Sequence, residues 1–363
     1  MAEGFREGDV VIVGGYGHVG LAIARHLAPL HPGRVVLSGR NQGKAAAAAG
    51  RIGHGCRGIA LDTAEGLAPR EADAVIMCLD QFDPSFASDC LGHGLGYVDV
   101  SADGRILEMV EALDPAAHRS GARGLIDVGL APGLTNLLAR LLVETGGPVE
   151  KLDLFVLLGV GDDHGRAALE WTLDKFDSEF IVFEDGRPQW VRAQRESNTV
   201  RVPGRRLPVF GVRFDFPEQR SLVRTLGVPT VSSWMATLPP SAARSMRLAA
   251  LAGGGELTRR PRSRRVLLSA LERGSVGTDR CGVLVRATAA DGKATEASVL
   301  SHDQSGLTAA ATSLMAAEVI EGRTPVGVHH SDQVIEPGPL LARLAEIAPD
   351  AVIDVPGGTT IPA

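Results

Sequence analysis

Short apolar runs alternate with stretches of helical periodicity over residues 8–128. The runs at 8–13, 34–40 and 74–78 each contain three to five consecutive apolar residues, and the stretches at 21–27 and 84–94 repeat apolar residues at helical spacing. Continuous apolar runs are typical of strands buried on both faces, and their alternation with helices is typical of a doubly wound parallel sheet. The pattern therefore predicts an α/β fold with the carboxyl ends of its strands along one edge. The other elements predicted here are strands at 58–61, 97–100 and 124–128 and helices at 44–49, 64–71 and 105–119.

The pattern changes from about residue 150, where the apolar runs become longer. Strands are predicted at 151–160, 179–184, 199–203, 229–235, 279–288 and 294–301, and helices at 164–176, 241–252 and 263–272. This arrangement favours a second, α+β domain with a mixed, largely antiparallel sheet and helices on one face. An Ala-rich stretch at 306–321 predicts one more helix.

The composition limits the classes of function. A chain of 363 residues is long enough for two domains, and 44% hydrophobic with 22% charged residues is typical of a globular protein. A net charge of −6 favours neither nucleic acid nor an anionic membrane, and we interpret the arginine-rich run at 259–265 as a solvated surface. The four cysteines lack metal or redox spacing, and the sequence shows no signal peptide or membrane-spanning stretch. We therefore expect a cytoplasmic protein with no metal site and no nucleic-acid or membrane partner.

A glycine motif lies between the first predicted strand and the first predicted helix. Residues 15–20 read Gly-Tyr-Gly-His-Val-Gly. In this context the first glycine permits a tight turn, the second lets the backbone approach a pyrophosphate, and the third allows close helix packing, as in a Rossmann dinucleotide-binding domain. A glycine-rich structural turn is the alternative. The residues expected to contact the cofactor are Gly15, Tyr16, Gly17, His18, Val19 and Gly20.

The end of the second predicted strand distinguishes NAD(H) from NADP(H). NAD enzymes usually carry an acidic residue there for the ribose hydroxyls, whereas this chain reads Ser38-Gly-Arg40-Asn41. Arg40 can bind a 2′-phosphate through its forked guanidinium, and Ser38 can donate to it. NADP(H) is therefore the predicted cofactor. Its predicted site also includes Asn41 and, at the ends of later strands, Asp62, Cys78 and Ser101.

The glycine spacing also suits short-chain dehydrogenases, which need a catalytic Tyr-x-x-x-Lys. The two tyrosines of this chain, Tyr16 and Tyr97, are followed four residues later by Gly20 and Ser101. The ordinary chemistry of that class is therefore excluded.

Four segments resemble the saccharopine dehydrogenase-like reductases, a family of the saccharopine reductase, carboxynorspermidine dehydrogenase and lysine 6-dehydrogenase type. They lie in the family's order along the whole chain, at 97–104, 129–136, 222–227 and 306–312. The segment Leu-Ala-Pro-Gly-Leu-Thr-Asn at 130–136 is the most specific. Family members often carry an acidic residue where this chain has Ala131, which argues against saccharopine itself as substrate.

The resemblance implies a domain organisation and a reaction. Residues 1–131 would form the Rossmann domain, completed by 304–363, and residues 132–303 would bind a small-molecule substrate and form a homodimer. An amine and a carbonyl would condense to an imine, which NADPH reduces, or an amine would be oxidised in reverse.

Imine reduction needs a proton donor, and two residues are candidates. Asp99 ends a predicted strand on the nicotinamide side, although a carboxylate there also suits a helix cap or a turn. His164, in Gly-Asp-Asp-His-Gly, has an ordinary pKa suited to donation near neutrality, although a solvated histidine beside a capping aspartate is an equal alternative.

Four residues are candidates for substrate binding. Arg224 falls where relatives carry an arginine for a substrate carboxylate, and a structural ion pair with Glu218 or Asp215 is the alternative. Thr135 and Asn136 follow the Pro-Gly turn, where they suit either the nicotinamide amide or a helix cap. The fourth, Trp234, would line the substrate pocket or fill the core.

Three functions are compatible with these features. The first is an NADPH-dependent imine reductase, or the reverse amine dehydrogenase, for an amino-acid-like or polyamine-like molecule in specialised metabolism. The second is a reductase of C=C or carbonyl groups, which the lost acid at Ala131 permits. The third is a non-catalytic NADP(H) sensor.

Overall fold

The computed structural model describes residues 4–65, 68–161, 165–273 and 278–360. Its strands are β1 (Val10–Val13), β2 (Val35–Gly39), β3 (Arg57–Ala60), β4 (Ala74–Met77), β5 (Gly96–Asp99), β6 (Arg123–Ile126), β7 (Val149–Gly159), β8 (Glu179–Glu184), β9 (Arg187–Arg192), β10 (Ser197–Val200), β11 (Val209–Arg213), β12 (Thr230–Leu238), β13 (Cys281–Ala289), β14 (Ala294–Ser301), β15 (Gly327–His330), β16 (Val352–Val355) and β17 (Gly358–Thr360). Its helices are α1 (His18–Leu27), α2 (Gln42–Ile52), α3 (Ser85–Gly92), α4 (Gly104–Glu111), α5 (Asp114–Ser120), α6 (Thr135–Gly146), α7 (Gly165–Lys175), α8 (Glu218–Thr225), α9 (Pro240–Leu251), α10 (Gly255–Arg259), α11 (Pro261–Arg273), α12 (Gln304–Ile320), α13 (Ser331–Val334) and α14 (Pro337–Ile347).

The first sheet is parallel throughout its described strands, in the order β15-β6-β5-β4-β1-β2-β3. Its central strands β1 and β4 are buried over their whole length, as their continuous apolar sequence requires. Val10 lies opposite Val35 on one side and opposite Ala74 on the other, so β1 is the central strand from which the order runs both ways. The α/β fold class predicted from the sequence is confirmed.

The second sheet is mixed, in the order β10-β11-β12-β7-β13-β14-β16-β17, with the β8–β9 hairpin attached to β12. The pair β7–β12 is parallel, and the other pairs along the sheet are antiparallel. Its core includes Phe155, Leu157, Trp234 and Leu284.

The chain divides into two compact units, Met1–Gly133 with Ser305–Ala348 and Leu134–Gln304 with Pro349–Ala363. All of 304–363 is predicted from the sequence to complete the first domain. This is wrong for the last residues, because β16 pairs with β14 of the second sheet and β17 continues that sheet.

Two predicted helices in the first unit are also corrected. In the described part of 64–71, residues 64 and 65 belong to a short 3-10 helix, Thr63–Glu65, and residues 68–70 are irregular. Pro69 lacks the N–H that a helix there would need, and the N–H of Ala68 donates to Asp89 instead. The predicted helix at 105–119 is divided into α4 and α5, since Pro115 occupies the first turn of a new helix.

Within the described ranges, no helix has both the length and the apolar character needed to cross a bilayer.

Candidate functional site

The carboxyl ends of the strands in the first sheet form the edge at which the candidate site lies. Strand β1 has β2 on one side and β4 on the other, so the chain connections leave it in opposite directions. Such a reversal of strand order opens a crevice outside the strand ends, and ligands of doubly wound sheets bind there.

The glycine loop is fixed at this point by backbone hydrogen bonds. The N–H groups of Gly14 and Gly15 donate to the Ser38 carbonyl at 2.9 and 3.0 Å, and Gly17 N–H donates to the Gly14 carbonyl at 2.8 Å. A Cβ on Gly20 would lie 2.5 Å from the Gly14 oxygen, so α1 can approach the loop this closely only with glycine at that position. The loop is therefore tightly packed on one side.

On its other side the loop offers an anion site. Helix α1 starts at His18 with Gly17 as its N-cap, it has no side-chain cap, and it has no acidic residue in its first turn. Gly17 and His18 are exposed, and Val19 is half-buried. An uncapped helix N-terminus at a glycine loop is suited to a pyrophosphate because its N–H groups and dipole favour negative charge.

The aromatic ring of Tyr16 lies against the end of β2. A Cβ on Gly39 would meet Cε1 of this ring at 2.6 Å, and the Asn41 N–H lies 3.4 Å from the Tyr16 hydroxyl. Tyr16 therefore bridges the glycine loop and the turn after β2.

Arg40 lies on that turn with an exposed side chain. It forms no ion pair with any carboxylate in the part of the chain that the structure describes, so its guanidinium is available to a phosphate.

Two neighbours of Arg40 form hydrogen bonds that fix the turn. The hydroxyl of Ser38 is buried and donates to the Ile59 carbonyl at 2.7 Å, so its proton is not available to a 2′-phosphate. Asn41 is the N-cap of α2, and its side-chain oxygen accepts from the N–H of Lys44 at 2.9 Å. Ser38 and Asn41 thus hold the turn on which Arg40 stands.

The remaining predicted cofactor residues lie at the same edge of the sheet. Asp62 follows β3 and accepts from the Ala64 N–H at 3.1 Å. Cys78 follows β4, its N–H donates to the Val13 carbonyl, and burial raises the pKa of its thiol, with a smaller contribution from the charge of Asp99. The hydroxyl of Ser101, after β5, accepts from the Asp103 N–H.

Asp99, a proposed proton donor, is fully buried at the end of β5. Its Oδ2 accepts from the Tyr97 hydroxyl at 2.8 Å and from Gln81 at 2.9 Å, and its Oδ1 accepts from the Ser101 N–H at 2.8 Å. Burial raises the pKa of Asp99 to about 6, although these hydrogen bonds oppose the shift. This is the turn carboxylate that the sequence left open as an alternative: it holds the loop after β4 through Gln81.

A second buried charged cluster, not predicted from the sequence, lies at the same edge. Nδ1 of His330, at the end of β15, lies 2.8 Å from Oδ2 of Asp127, and its Nε2 lies 3.3 Å from Glu111. Burial lowers the pKa of His330, but the hydrogen bond and charge of Asp127, with the charges of Glu111 and Asp332, outweigh burial and raise it to about 9. Strand β15 brings His330 beside Asp127, which is 203 positions earlier in the chain. Because β15 was not among the predicted strands, this contact could not be inferred from the sequence.

In the second unit Trp234 is buried in the sheet. Its Nε1 donates to Asp153 at 2.9 Å, its ring stacks on Phe155, and the Arg213 guanidinium lies 4.9 Å from its ring centre. Trp234 and Arg213 also line an open cleft of about 530 Å³, together with residues that include Glu184 and Glu196. Both accounts of Trp234, core residue and pocket wall, therefore have a structural basis.

The other predicted substrate residues are also placed in this unit. Arg224 is exposed on the last turn of α8, and Asp215, one of its suggested partners, accepts hydrogen bonds from Lys175 and Arg220. Thr135 and Asn136 are fully buried in the first turn of α6, and the N-cap is Leu134, so neither occupies the capping position.

His164 lies outside the described residues. In the described ranges no group of three or more His, Cys, Asp or Glu is arranged to hold a metal.

The residues at the first site fit a nicotinamide dinucleotide. The glycines leave no room for side chains where the loop is packed, α1 presents an uncapped N-terminus, and Arg40 provides an unpaired cation at the end of β2. These are features that the pyrophosphate of a dinucleotide requires.

Comparisons with known proteins give a likeness of fold. The structure of apo saccharopine dehydrogenase (L-Glu forming) from Saccharomyces cerevisiae matches at a TM-score of 0.65 and 14% identity, over 93% of this chain and 97% of that one. GenD2 from gentamicin A biosynthesis, solved with NAD, matches at 0.43 and 12% identity over 98% of each chain. Scyllo-inositol dehydrogenase from Lactobacillus casei, solved with NAD(H) and scyllo-inositol, matches at a TM-score of 0.44 and 9% identity, over 93% of this chain and 96% of that one. Because the last two TM-scores are low, only the first likeness establishes the fold.

No protein-family model matches the chain. No curated protein matches its sequence.

Proposed function

We propose that this chain is an NADPH-dependent oxidoreductase that reduces an imine formed from an amine and a carbonyl, or oxidises the corresponding amine. Its substrate would be an amino-acid-like or polyamine-like small molecule. The observation that carries the proposal is the glycine cradle at the β1–β4 reversal, with exposed Arg40 at the end of β2.

The chain's own residues account for cofactor binding. The N-terminus of α1 would hold the pyrophosphate, and Arg40 would bind the 2′-phosphate through paired, charge-assisted hydrogen bonds. When bound, the dinucleotide would supply the hydride. The protein then has to orient the substrate and deliver one proton.

Support for C–N chemistry comes from the fold. The neighbour that establishes the fold is a saccharopine dehydrogenase, and its likeness extends over nearly all of both chains. The four sequence segments that resemble saccharopine dehydrogenase-like reductases lie in the same order along this chain. Exposed Arg224 would bind a substrate carboxylate.

For the proton we favour His164 over Asp99. Asp99 is fully buried and accepts three hydrogen bonds, so it acts as a positioning residue for Gln81 and the loop after β4. The ordinary pKa of histidine matches donation near neutrality.

A second candidate is reduction of a carbonyl or an activated C=C group without an amine. The observation that favours it is Ala131, where the family that the sequence resembles often carries an acid. The same cofactor site would serve either reaction.

Steady-state oxidation of NADPH tests the proposal and separates the candidates. The purified chain is assayed with panels of aldehydes and 2-oxo acids, with and without amino acids and diamines. Imine reduction requires both partners and gives a secondary amine that mass spectrometry detects. Turnover with the carbonyl alone supports the second candidate, and no turnover with any pair contradicts the proposed enzyme.

A homodimer formed through the second unit belongs to the same proposal. Light scattering of the purified chain tests it: a dimer has twice the mass of one chain, and a monomer contradicts it.

A further inference from the structure

We propose that Tyr16 and Gly39 together select the phosphorylated cofactor, an inference that rests on the NADP(H)-dependent function proposed above. The Tyr16 ring occupies the space that a side chain at position 39 would need. An acidic residue at the end of β2, by which NAD enzymes bind the ribose hydroxyls, would therefore require the Tyr16 ring to move, and Arg40 is the charged side chain at that place.

The glycine loop is held directly against β2. The Ser38 carbonyl accepts hydrogen bonds from two consecutive N–H groups, those of Gly14 and Gly15. A Cβ on Gly15 would lie 2.9 Å from the Cα of Leu37, so the loop also packs directly on the strand. Tyr16 follows at once and is thereby held over the next residue of β2, Gly39.

Glycine at position 39 leaves room for the Tyr16 ring. A Cβ there would lie 2.6 Å from Cε1 and 2.8 Å from Cζ and the hydroxyl of Tyr16. Gly39 is absent from the glycines of positive φ in the described chain, so its backbone conformation does not require glycine. The requirement is steric, and it comes from the Tyr16 ring.

Glycine at position 39 also has an electrostatic consequence. Gly39 is the last residue of β2, the place at which an acidic residue commonly receives the ribose hydroxyls in NAD enzymes. A carboxylate at position 39 would repel a 2′-phosphate and compete with it for Arg40. With glycine there, and with no carboxylate paired to Arg40 in the described ranges, the local charge favours the phosphate.

Binding of NADPH and of NADH, measured by isothermal titration calorimetry on the full chain, tests the inference. The variants are Gly39→Asp, Tyr16→Ala, the two combined, and Tyr16→Phe. Gly43→Ala is the matched control, because its added Cβ would lie at an ordinary 3.4 Å from Asn41 Oδ1. Circular dichroism establishes that each variant is folded.

Gly39→Asp alone is expected to lower the affinity for NADPH by about 100-fold without raising the affinity for NADH. The reason is that the Tyr16 ring must be displaced before the ribose of either nucleotide can bind. The combined variant is expected to bind NADH about tenfold more tightly than Gly39→Asp and to prefer NADH over NADPH. Tyr16→Phe keeps the native preference because the ring, not the hydroxyl, fills the space. Gly43→Ala leaves both affinities unchanged.

Two results would overturn the inference: Gly39→Asp alone gains as much NADH affinity as the combined variant, or the combined variant keeps the native preference. If Gly39→Asp does not fold, the comparison is between Tyr16→Ala and the combined variant, which must prefer NADH. If the native chain binds NADPH and the combined variant still prefers NADPH, only the proposed role of Tyr16 and Gly39 in cofactor selection is refuted. A native chain that binds neither nucleotide refutes the proposed function itself.

Discussion

The imidazole Nδ1 of His330 lies 2.8 Å from Oδ2 of Asp127, and both side chains are buried. The residues are 203 positions apart in the chain, yet they stand at the carboxyl ends of the neighbouring strands β15 and β6. Asp127 has a φ of +57°, a left-handed backbone conformation that aspartate adopts more readily than most non-glycine residues. The pair thus joins the edge strand β15 to its neighbour β6 in the first sheet.

We expect this pair to make stability depend on pH. The folded-state pKa of His330, about 9, lies above the ordinary value of 6.5, so the folded state holds the proton more tightly. The stabilisation, about 3 kcal/mol, is fully present below pH 6.5 and is lost as the pH rises through 9. Urea unfolding at pH 6.5 and 9.5 should show this loss in the native chain but not in His330→Gln. Equal losses in both proteins would contradict the assignment.

The hydroxyl of Tyr97 should stabilise the fold mainly while Asp99 is ionised. Since the pKa of Asp99 is about 6, its carboxylate is charged at pH 8 and accepts a charge-assisted hydrogen bond from Tyr97. Tyr97→Phe should lower the free energy of unfolding by about 2 kcal/mol at pH 8, and by less at pH 5. In an Asp99→Asn background the same substitution should cost about 1 kcal/mol or less. An equal cost in both backgrounds would show that the hydroxyl does not act through Asp99.

A methyl group on Gly20 should disturb the glycine loop. Its Cβ would lie 2.5 Å from the Gly14 oxygen, so we expect Gly20→Ala to cost about 1–3 kcal/mol of stability and to weaken NADPH binding. Gly50→Ala is the matched control, because this exposed glycine of α2 has open space around it and should gain about 1 kcal/mol. Thermal unfolding and calorimetry on both variants check the prediction, and a Gly20→Ala variant that behaves like Gly50→Ala contradicts it.

The proposed roles of His164 and Asp99 differ in their effect on turnover. His164→Asn should lower kcat by about 10²–10⁴ and leave NADPH affinity unchanged, as expected for loss of a proton donor. Asp99→Asn should retain the native pH dependence of kcat and lose stability instead. Steady-state rates from pH 5 to 9 distinguish them: a pH profile altered only in Asp99→Asn would reverse the assignment.

Local sequence pattern was sufficient for the core of the first sheet. The continuous apolar runs at β1, β2 and β4 predict buried parallel strands, and the glycines at 15, 17 and 20 predict the turn into α1. Each of these features depends on residues close together in the chain.

Features that depend on distant residues were not predictable in this way. Strand β15 pairs with β6, about two hundred positions earlier, and β16 pairs with β14 of the second sheet instead of staying with the first. The hydrogen bond from the Ser38 hydroxyl to the Ile59 carbonyl also could not be predicted, because it depends on the neighbouring strand β3. For the same reason the packing of Tyr16 on Gly39 could not be inferred from the glycine motif.

The central claim is that Arg40 makes the glycine cradle an NADP(H) site, and one binding measurement tests it most directly. Fluorescence titration gives the dissociation constants of NADPH and NADH for three proteins: the native chain, Arg40→Ala and the matched control Arg51→Ala. Arg51 is an exposed arginine at the far end of α2. We expect the native chain and Arg51→Ala to bind NADPH at least about tenfold more tightly than NADH. We expect Arg40→Ala to lose that preference because its affinity for NADPH falls while its affinity for NADH is unchanged. Equal affinity of the native chain for the two nucleotides, or a preference that survives in Arg40→Ala, would contradict the claim.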